Sequence, residues 1–264
     1  MNAYREKIWL IANLAKRQFL QRYHGSFLGI LWPFLAAGLQ LAIYAFIFSV
    51  ILNARWEQAG IAAAQEPLPF WLVMSAGMIM YFFVAELIGA APGLVVSVPN
   101  YVKKIKFPLA VLPFVNLLVG TVTACVFLLI LAVAISVAGS FHWWILLTPL
   151  AFFQAALWCL GFSWILGAAG VFIRDLQQMV PFILQLLMFL TPIFYPASAV
   201  PERFRIVIAC NPLAFLVDTF RNLALWGQPP HWGLFFAWTA GAAAFAYVGY
   251  LVFQRLRGAF ADVM

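Results

Sequence analysis

A long stretch without charge limits what this chain can fold into. Residues 107–173 contain no Asp, Glu, Lys or Arg. A helix crosses the hydrocarbon core of a membrane with about 20 apolar residues, so this stretch is too long for one crossing. Residues 139–142 (GSFH) interrupt it, and Trp143 and Trp144 follow, as expected for aromatic residues at a membrane interface. The pattern predicts two membrane helices joined as a hairpin.

The composition extends this prediction to the whole chain. Of its 264 residues, 66% are hydrophobic and 9% are charged, whereas soluble domains carry about 25% charged residues. A water-soluble or disordered protein is therefore excluded, and a β-barrel is disfavoured because its strands alternate polar and apolar residues. We predict a single all-α integral membrane domain over residues 1–264. Its six transmembrane helices are expected at residues 27–52, 69–98, 107–138, 143–173, 176–195 and 232–253.

Residues 1–24 are predicted to form an amphipathic helix in the headgroup region of the membrane, and not a cleavable signal. The apolar residues at helical spacing are Tyr4, Ile8, Ile11, Ala15 and Phe19. The cations on the rest of the helix are Lys16, Arg17 and Arg22. Such a helix serves as a membrane anchor or as a docking surface for a partner, and the sequence leaves both open.

Residues 196–231 are predicted to form a re-entrant gate region on the outer side of the membrane. Within it, residues 206–217 are uncharged. A run of about a dozen residues suits a re-entrant or interfacial segment better than a span. Irregular backbone persists at membrane depth only where protein or a wet cavity surrounds it. Asn211 is expected to cap a helix that begins at Pro212.

The basic residues predict the orientation in the membrane. With the N terminus in the cytoplasm, most of the 15 Lys and Arg residues lie on the cytoplasmic side, as the positive-inside rule requires. The residues left outside are Arg55, Arg203, Arg205 and Arg221. Six spans return the C terminus to the cytoplasm. The net charge of +7 therefore indicates cytoplasmic loops, and we expect no nucleic-acid binding.

The sequence lacks the motifs of an enzyme. No G-x-x-x-x-G-K-[ST], H-E-x-x-H or G-x-S-x-G occurs, and the three cysteines form no C-x-x-C. We predict no catalytic site, no metal site and no cofactor in this chain. Active transport would then draw on an ion gradient or on another polypeptide. Glu86 is the one acidic residue inside a predicted span, and proton relays normally need a chain of such groups.

Three segments resemble ABC-2-type permeases that export polysaccharides. The first is residues 22–32 (RYHGSFLGILW), at the start of the first span. The second is residues 101–108 (YVKKIKFP), between the second and third spans. The third is a C-terminal set that comprises residues 174–176 (RDL), 191–196 (TPIFYP), 200–201 (VP), 211–212 (NP) and Arg221. The likeness is greatest to the branch that exports O-antigen or teichoic-acid chains on a lipid carrier.

The resemblance implies a homodimer of six-span subunits in the inner (cytoplasmic) membrane. Each subunit would bind a separate cytoplasmic ABC ATPase that holds ATP and Mg, and the substrate would be a lipid-linked polysaccharide. The residues expected to contact the ATPase are Tyr101, Lys103, Lys104, Lys106, Arg174 and Asp175. Positive-inside charge is an alternative explanation for the lysines, and helix capping is one for Asp175.

Two further groups of residues are assigned to the transport path. The cations expected where the substrate pyrophosphate enters are Lys16, Arg17 and Arg22. The residues expected at the channel or its outer gate are Tyr44, Tyr81, Tyr195, Asn211, Pro212 and Arg221. Tyrosine rings pack on sugars, although aromatic belts account for most rings in membrane proteins. Arg221 is expected to meet a lipid phosphate or a carboxylate of a partner, or to act as an interfacial anchor.

Three alternatives remain open at the level of sequence. The nearest is an ABC-2 permease for a drug or lipid, which shares the fold. A second is a membrane-embedded transferase that builds the polysaccharide, but it would need a polar catalytic cluster at one interface, and the sequence shows none. The third is a passive channel or an assembly scaffold.

Overall fold

The structure is a computed structural model that describes residues 2–23, 27–52, 68–103 and 107–264. Every regular element in these ranges is helical. Three residues singled out above, Arg55, Lys104 and Lys106, lie outside the described ranges. In chain order the α-helices are α1 (Asn2–Tyr23), α2 (Trp32–Ala45), α3 (Phe70–Ala90), α4 (Pro99–Lys103), α5 (Leu112–Val137), α6 (Thr148–Phe172), α7 (Leu176–Leu190), α8 (Glu202–Ala209), α9 (Pro212–Ala224), α10 (Trp232–Leu256) and α11 (Phe260–Val263).

Five helical segments are long and apolar enough to cross a membrane. They are Trp32–Ile51, Phe70–Gly93, Leu109–Val137, Trp143–Phe172 and Trp232–Val263. Each overlaps a predicted span. Helices suit a membrane because they satisfy their backbone hydrogen bonds internally while they present apolar side chains to lipid. The first span continues from α2 through a π-helical segment, Phe46–Ile51. At the hairpin between α5 and α6, Gly139 has a φ of +69°, which glycine adopts without steric strain.

The predicted span at residues 176–195 is shorter than expected. Its helix, α7, has 15 residues and ends at Leu190. At 1.5 Å per residue, α7 is about 22 Å long, whereas the hydrocarbon core is about 30 Å thick. The helix ends because the ring of Pro192 disfavours helical backbone at the preceding residue, and Thr191 is extended (φ −95°, ψ 139°). Residues 191–195 therefore lie beyond the helix.

The segment between α7 and α10 contains two helices that meet at a sharp angle. Helices α8 and α9 are bent by 85° at a short break, and counting this pair as one crossing would give six spans in the described ranges. Asn211 lies at the break, and its side-chain oxygen accepts a hydrogen bond of 3.0 Å from the backbone N–H of Leu213. Pro212 occupies the first turn of α9, where its missing N–H costs nothing. This arrangement matches the expected cap and helix start.

Helix α3 lies at the centre of the bundle and packs against α5, α6, α7 and α9. In its span, 78% of the residues are buried, compared with 11% in the span that contains α2. Met74, Met78 and Met80 on α3 are completely buried. Methionine fills irregular gaps between helices well, because its side chain is flexible and polarisable. The side chains that meet in the middle of the protein thus come from α3, while α2 lies at the edge.

Helices α6 and α10 pack with their backbones in close contact. A Cβ atom added to Gly249 would lie 2.6 Å from the carbonyl oxygen of Gly161, so neither helix could carry a side chain there at this separation. Small residues allow membrane helices to approach closely where no hydrophobic effect drives them together. The pair gives the bundle a rigid side.

Helix α1 lies against α5 and exposes its charged side chains. Ala15 is buried in a small cluster with Val111, Val115 and Val119. Lys16 and Arg17 are exposed, as an amphipathic helix requires. Ile11, Leu14 and Phe19 pack against this cluster, while Ile8 is 54% exposed.

Candidate functional site

An ion pair lies at the end of the bundle formed by α1, the start of α2 and the end of α3. The Arg22 guanidinium donates a hydrogen bond to the Glu86 carboxylate. The Thr123 hydroxyl also donates to Glu86, at 3.5 Å. The Arg22 side chain is 37% exposed and that of Glu86 is 21% exposed. The pair lines a cleft of about 450 Å³ between α2, α3 and α5, which we call the Arg22 cleft.

The pairing explains how a carboxylate is tolerated inside the second span. An isolated charge in a membrane is costly, whereas a charge that is paired and hydrogen-bonded is not. Sequence reasoning treated Arg22 and Glu86 separately and missed the pair. The pair could have been predicted from the positions of the two residues in the membrane topology. Arg22 precedes the first span and Glu86 lies one turn before the end of α3, so adjacent antiparallel helices bring them to the same end of the bundle.

A second cleft, of about 350 Å³, lies between α1, α5 and the segment that leads into α4. We call it the Arg17 cleft. Arg17 and Tyr101 both line it. Arg17 and Arg22 therefore face different clefts, and Lys16 lines neither of them. The three cations expected at the substrate entrance thus lie on one helix but do not share one of these two clefts.

Tyr101, Arg174 and Asp175, which are assigned to ATPase contact, lie at the same end of the bundle as the Arg22 cleft, whereas Lys104 and Lys106 lie outside the described residues. Tyr101 on α4 stacks on Phe107, with ring centroids 4.7 Å apart. Arg174 and Asp175 are exposed at the start of α7. Asp175 occupies the N-cap position, but its side chain makes no capping hydrogen bond in the described part of the chain. Capping therefore does not account for an aspartate at this position.

The three tyrosines assigned to the channel have different environments. Tyr81 is buried, and its hydroxyl donates to the backbone oxygen of Leu184 at 3.1 Å, which ties α3 to α7. The Tyr195 hydroxyl donates to the Phe189 oxygen at 2.9 Å and closes the turn after α7. Tyr44 lies 6.2 Å from the ring of Phe194. The hydroxyl of Tyr81 is thus used in helix packing, whereas Tyr44 and Tyr195 border the end of the bundle at which α7 ends.

An aromatic cluster that sequence reasoning missed surrounds Phe194. The rings of Phe48 and Phe194 stack 4.9 Å apart with an angle of 12° between their planes. Phe189 lies 5.9 Å from Phe194, and Phe70 lies 6.0 Å from Phe48. The cluster joins the π-helical segment of the first span to the turn after α7. It could not be found from spacing, because its rings come from separate parts of the sequence.

Arg221 is placed differently from the expectation. Its side chain is 3% exposed, and it donates to the backbone oxygens of Val73 at 3.0 Å, Pro192 at 2.6 Å and Ile193 at 2.8 Å. A Cβ atom on Gly77 would lie 2.6 Å from its Nη2 atom, so the glycine leaves room for the guanidinium. Arg221 lies inside the protein and does not reach lipid phosphate. It joins α9 to α3 and to the turn after α7.

Asn211 extends this set of contacts to the α8–α9 break. Its side-chain nitrogen donates to the Thr191 hydroxyl at 3.0 Å, while its oxygen caps α9. Thr191 in turn donates to the Leu187 oxygen on α7 at 2.7 Å. The amide and the guanidinium of Arg221 therefore hold the same turn, residues 191–193, from two sides. We call Asn211, Arg221 and this turn the outer clamp.

The long apolar helices indicate a membrane protein, and sequence comparison decides the family. A sequence model described as "ABC-2 type transporter" matches residues 10–225. The chain belongs to the ABC-2 type transporter family. The fold class inferred from its composition, an all-α integral membrane protein, is thereby confirmed, as is the resemblance drawn from its motifs.

Three relatives match this ABC-2 chain along nearly its whole length. The O-antigen export system permease protein RfbA of Myxococcus xanthus is 26% identical over 258 residues, which cover 96% of this chain and 94% of the relative. Two proteins of the same name from Klebsiella pneumoniae are 26% and 25% identical, and each match covers 97% of this chain and 95% of the relative. The ABC-2 domain is the membrane component of a transporter and not an enzyme, as the missing P-loop indicated. Among the described residues, no group of three His, Cys, Asp or Glu side chains could hold a metal ion.

Proposed function

We propose that this chain is the permease subunit of an ATP-driven exporter that carries a lipid-linked polysaccharide of the O-antigen type across the inner membrane. The observation that carries the proposal is the near full-length similarity to three permeases of O-antigen export systems. The drug or lipid permease, which shares the fold, has no such support. Both termini are proposed to lie in the cytoplasm, in agreement with the distribution of basic residues.

The energy for export is proposed to come from a separate ABC ATPase that binds ATP and Mg. Two permease chains and two ATPase subunits would form the exporter. Tyr101, Lys103, Lys104, Lys106, Arg174 and Asp175 are assigned to the ATPase contact. The exposure of Arg174 and Asp175 supports this assignment, because charged and aromatic side chains at a helix start can pair and pack on a soluble partner.

Substrate is proposed to enter at the Arg22 cleft. A pyrophosphate group is an anion with several acceptor oxygens, and arginine binds phosphate through paired hydrogen bonds. The substrate phosphate would take the place of the Glu86 carboxylate on Arg22. Of the three cations assigned to the entrance, Arg22 is the one that lines this cleft.

The sugar chain is proposed to leave near the aromatic cluster and the α8–α9 pair. Aromatic rings offer flat faces to the C–H groups of sugars, and several weak contacts allow a long chain to keep moving. Tyr44 and Tyr195 border this region together with Phe48 and Phe194. Asn211, Pro212 and Arg221 would shape the gate indirectly, by fixing the turn and the start of α9.

The proposal is tested by deleting the gene and locating the polysaccharide with an antibody before and after permeabilisation of the cells. We expect polysaccharide trapped inside, and restored to the surface by the wild-type gene. Polysaccharide absent from both fractions would indicate a biosynthetic enzyme. Normal surface polysaccharide would overturn the proposal and leave a drug or lipid permease.

A further inference from the structure

The Arg17 cleft is rich in hydrogen-bond donors. Its polar lining consists of Arg17, Gln18, Gln21, Ser97 and Tyr101. These side chains offer a guanidinium, two amides and the Tyr101 hydroxyl as donors, which suit the oxygens of a phosphate group, whereas the Ser97 hydroxyl already donates to the backbone oxygen of Leu94. The donors come from two elements, since α1 supplies three of them and α4 supplies Tyr101. A ligand held here would bridge α1 to α4.

The charge balance of this cleft differs from that of the Arg22 cleft. None of the described residues that line the Arg17 cleft is acidic. In the Arg22 cleft, by contrast, Glu86 already neutralises the arginine. A ligand for the Arg17 cleft is therefore expected to carry a negative charge. A zwitterionic headgroup gains little binding free energy from its cation, because no carboxylate among the described lining residues can pair with that cation.

The rest of the lining is apolar. It consists of Leu14, Leu94, Val98, Leu112 and Val115. A free phosphate ion would gain nothing from such a wall, whereas an amphiphile would place its phosphate on the donors and its hydrocarbon on the wall. Helix α1 also exposes Lys16 and Arg17, and exposed cations on an amphipathic helix attract anionic headgroups. The combination of donors, a net positive charge and an apolar wall therefore suits an anionic amphiphile.

We propose that the Arg17 cleft binds the phosphodiester headgroup of an anionic membrane phospholipid. The lipid holds α1 to the segment that carries Tyr101. It is a resident lipid of the bilayer and not the exported substrate, so the site does not depend on which substrate the permease carries.

The test measures lipid retained by the complete permease–ATPase complex with native mass spectrometry. The complex is purified in detergent and supplied with phosphatidylglycerol or phosphatidylcholine. We expect the wild type to retain phosphatidylglycerol in preference to phosphatidylcholine. Arg17→Gln should lower this retention about tenfold, the effect of one lost charge-assisted hydrogen bond. Lys16→Gln removes the neighbouring charge, which does not line the cleft, and should leave retention unchanged.

Further arms separate the alternatives. Arg17→Lys keeps the positive charge, which binds phosphate as a point charge, and should keep most of the retention, so that the loss in Arg17→Gln is assigned to the missing charge. Equal losses in Arg17→Gln and Lys16→Gln would overturn the proposal in favour of a general charge effect. Displacement of the lipid by millimolar inorganic phosphate would indicate a free-anion site. Normal lipid retention with weaker ATPase binding in Arg17→Gln would assign the cleft to the protein partner. Because retention is read without transport, these results are independent of the proposed substrate.

Discussion

Two arginines at opposite ends of the bundle use their charge in different ways. Arg22 is partly exposed beside an open cleft and is paired with a carboxylate. Arg221 is buried and donates to three backbone oxygens. A carboxylate can be exchanged for another anion, since both offer charged oxygens. Backbone oxygens in a turn are fixed by the chain. Arg22 at the α1 end can therefore exchange its carboxylate for another anion, whereas Arg221 at the α8 end keeps its backbone partners and fixes the turn after α7.

The largest expected effect comes from removing the buried guanidinium. Arg221→Gln shortens the side chain and leaves backbone oxygens of Val73 and of the turn after α7 without their donor. A hydrogen bond to a charged group contributes about 1.5–3 kcal/mol, so the loss of the three bonds should cost at least about 3 kcal/mol. We expect a decrease of this size in the free energy of unfolding, measured by titrating the purified chain with SDS. Arg221→Lys should recover little, because an ammonium cannot reproduce the planar fork.

The matched control for this experiment is Arg203→Gln on the same side of the protein. Arg203 is exposed, and its guanidinium lies over the ring of Phe204. Its replacement should change the free energy of unfolding by less than about 0.5 kcal/mol. Similar losses in the Arg203 and Arg221 variants would contradict the special role of the outer clamp.

A smaller effect is expected when the space for Arg221 is filled. Gly77→Ala places a Cβ atom 2.6 Å from the guanidinium nitrogen, so the arginine must shift. Overpacking of this kind costs about 1–3 kcal/mol. Gly38→Ala serves as the control, because a Cβ atom there has nothing within 4 Å.

The same SDS titration of a Gly77→Ala, Arg221→Gln double variant sharpens this result. The cost of Gly77→Ala should disappear in the presence of Arg221→Gln, since the clashing group is gone. Additive costs would show that Gly77 acts independently of the arginine.

The Arg22–Glu86 pair should contribute less, because it is partly exposed. Arg22→Gln and Glu86→Gln are each expected to cost about 1 kcal/mol, with a coupling free energy of about 0.2–1 kcal/mol in a double-mutant cycle. The charge swap Arg22→Glu with Glu86→Arg should recover part of this coupling. A coupling as large as the cost of Arg221→Gln would erase the distinction between the two arginines.

An effect of about the same size as that of the single Arg22 and Glu86 variants is expected at the cap of α9. Asn211→Ala removes the acceptor for the Leu213 N–H and the donor to Thr191, at a cost of about 1 kcal/mol. Asn211→Asp keeps the capping oxygen but loses the donor to Thr191, so its stability should lie between those of the wild type and Asn211→Ala. The midpoint of thermal unfolding in detergent ranks the three proteins by stability. Equal midpoints for the wild type and Asn211→Ala would exclude a role for the cap.

Most of the fold could be predicted because it depends on local sequence. Charge-free runs located five long helices, and the Asn211–Pro212 pair located the start of α9. The position of Arg221 could not be predicted, because three carbonyl partners come from two other elements. The Arg22–Glu86 pair joins residues 64 apart in sequence. The end of α7 at Leu190 was missed because apolar composition alone does not register the effect of Pro192 on Thr191.

The length of α7 also has a consequence for the surrounding bilayer. Phe182, Leu186 and Phe189 on this helix are exposed and apolar. Where this face meets lipid, a helix of about 22 Å beside a core of about 30 Å creates a hydrophobic mismatch. The bilayer relieves such a mismatch by thinning locally. A polar headgroup that passes beside α7 would then cross a shorter hydrocarbon barrier than a headgroup that passes beside one of the five long helices.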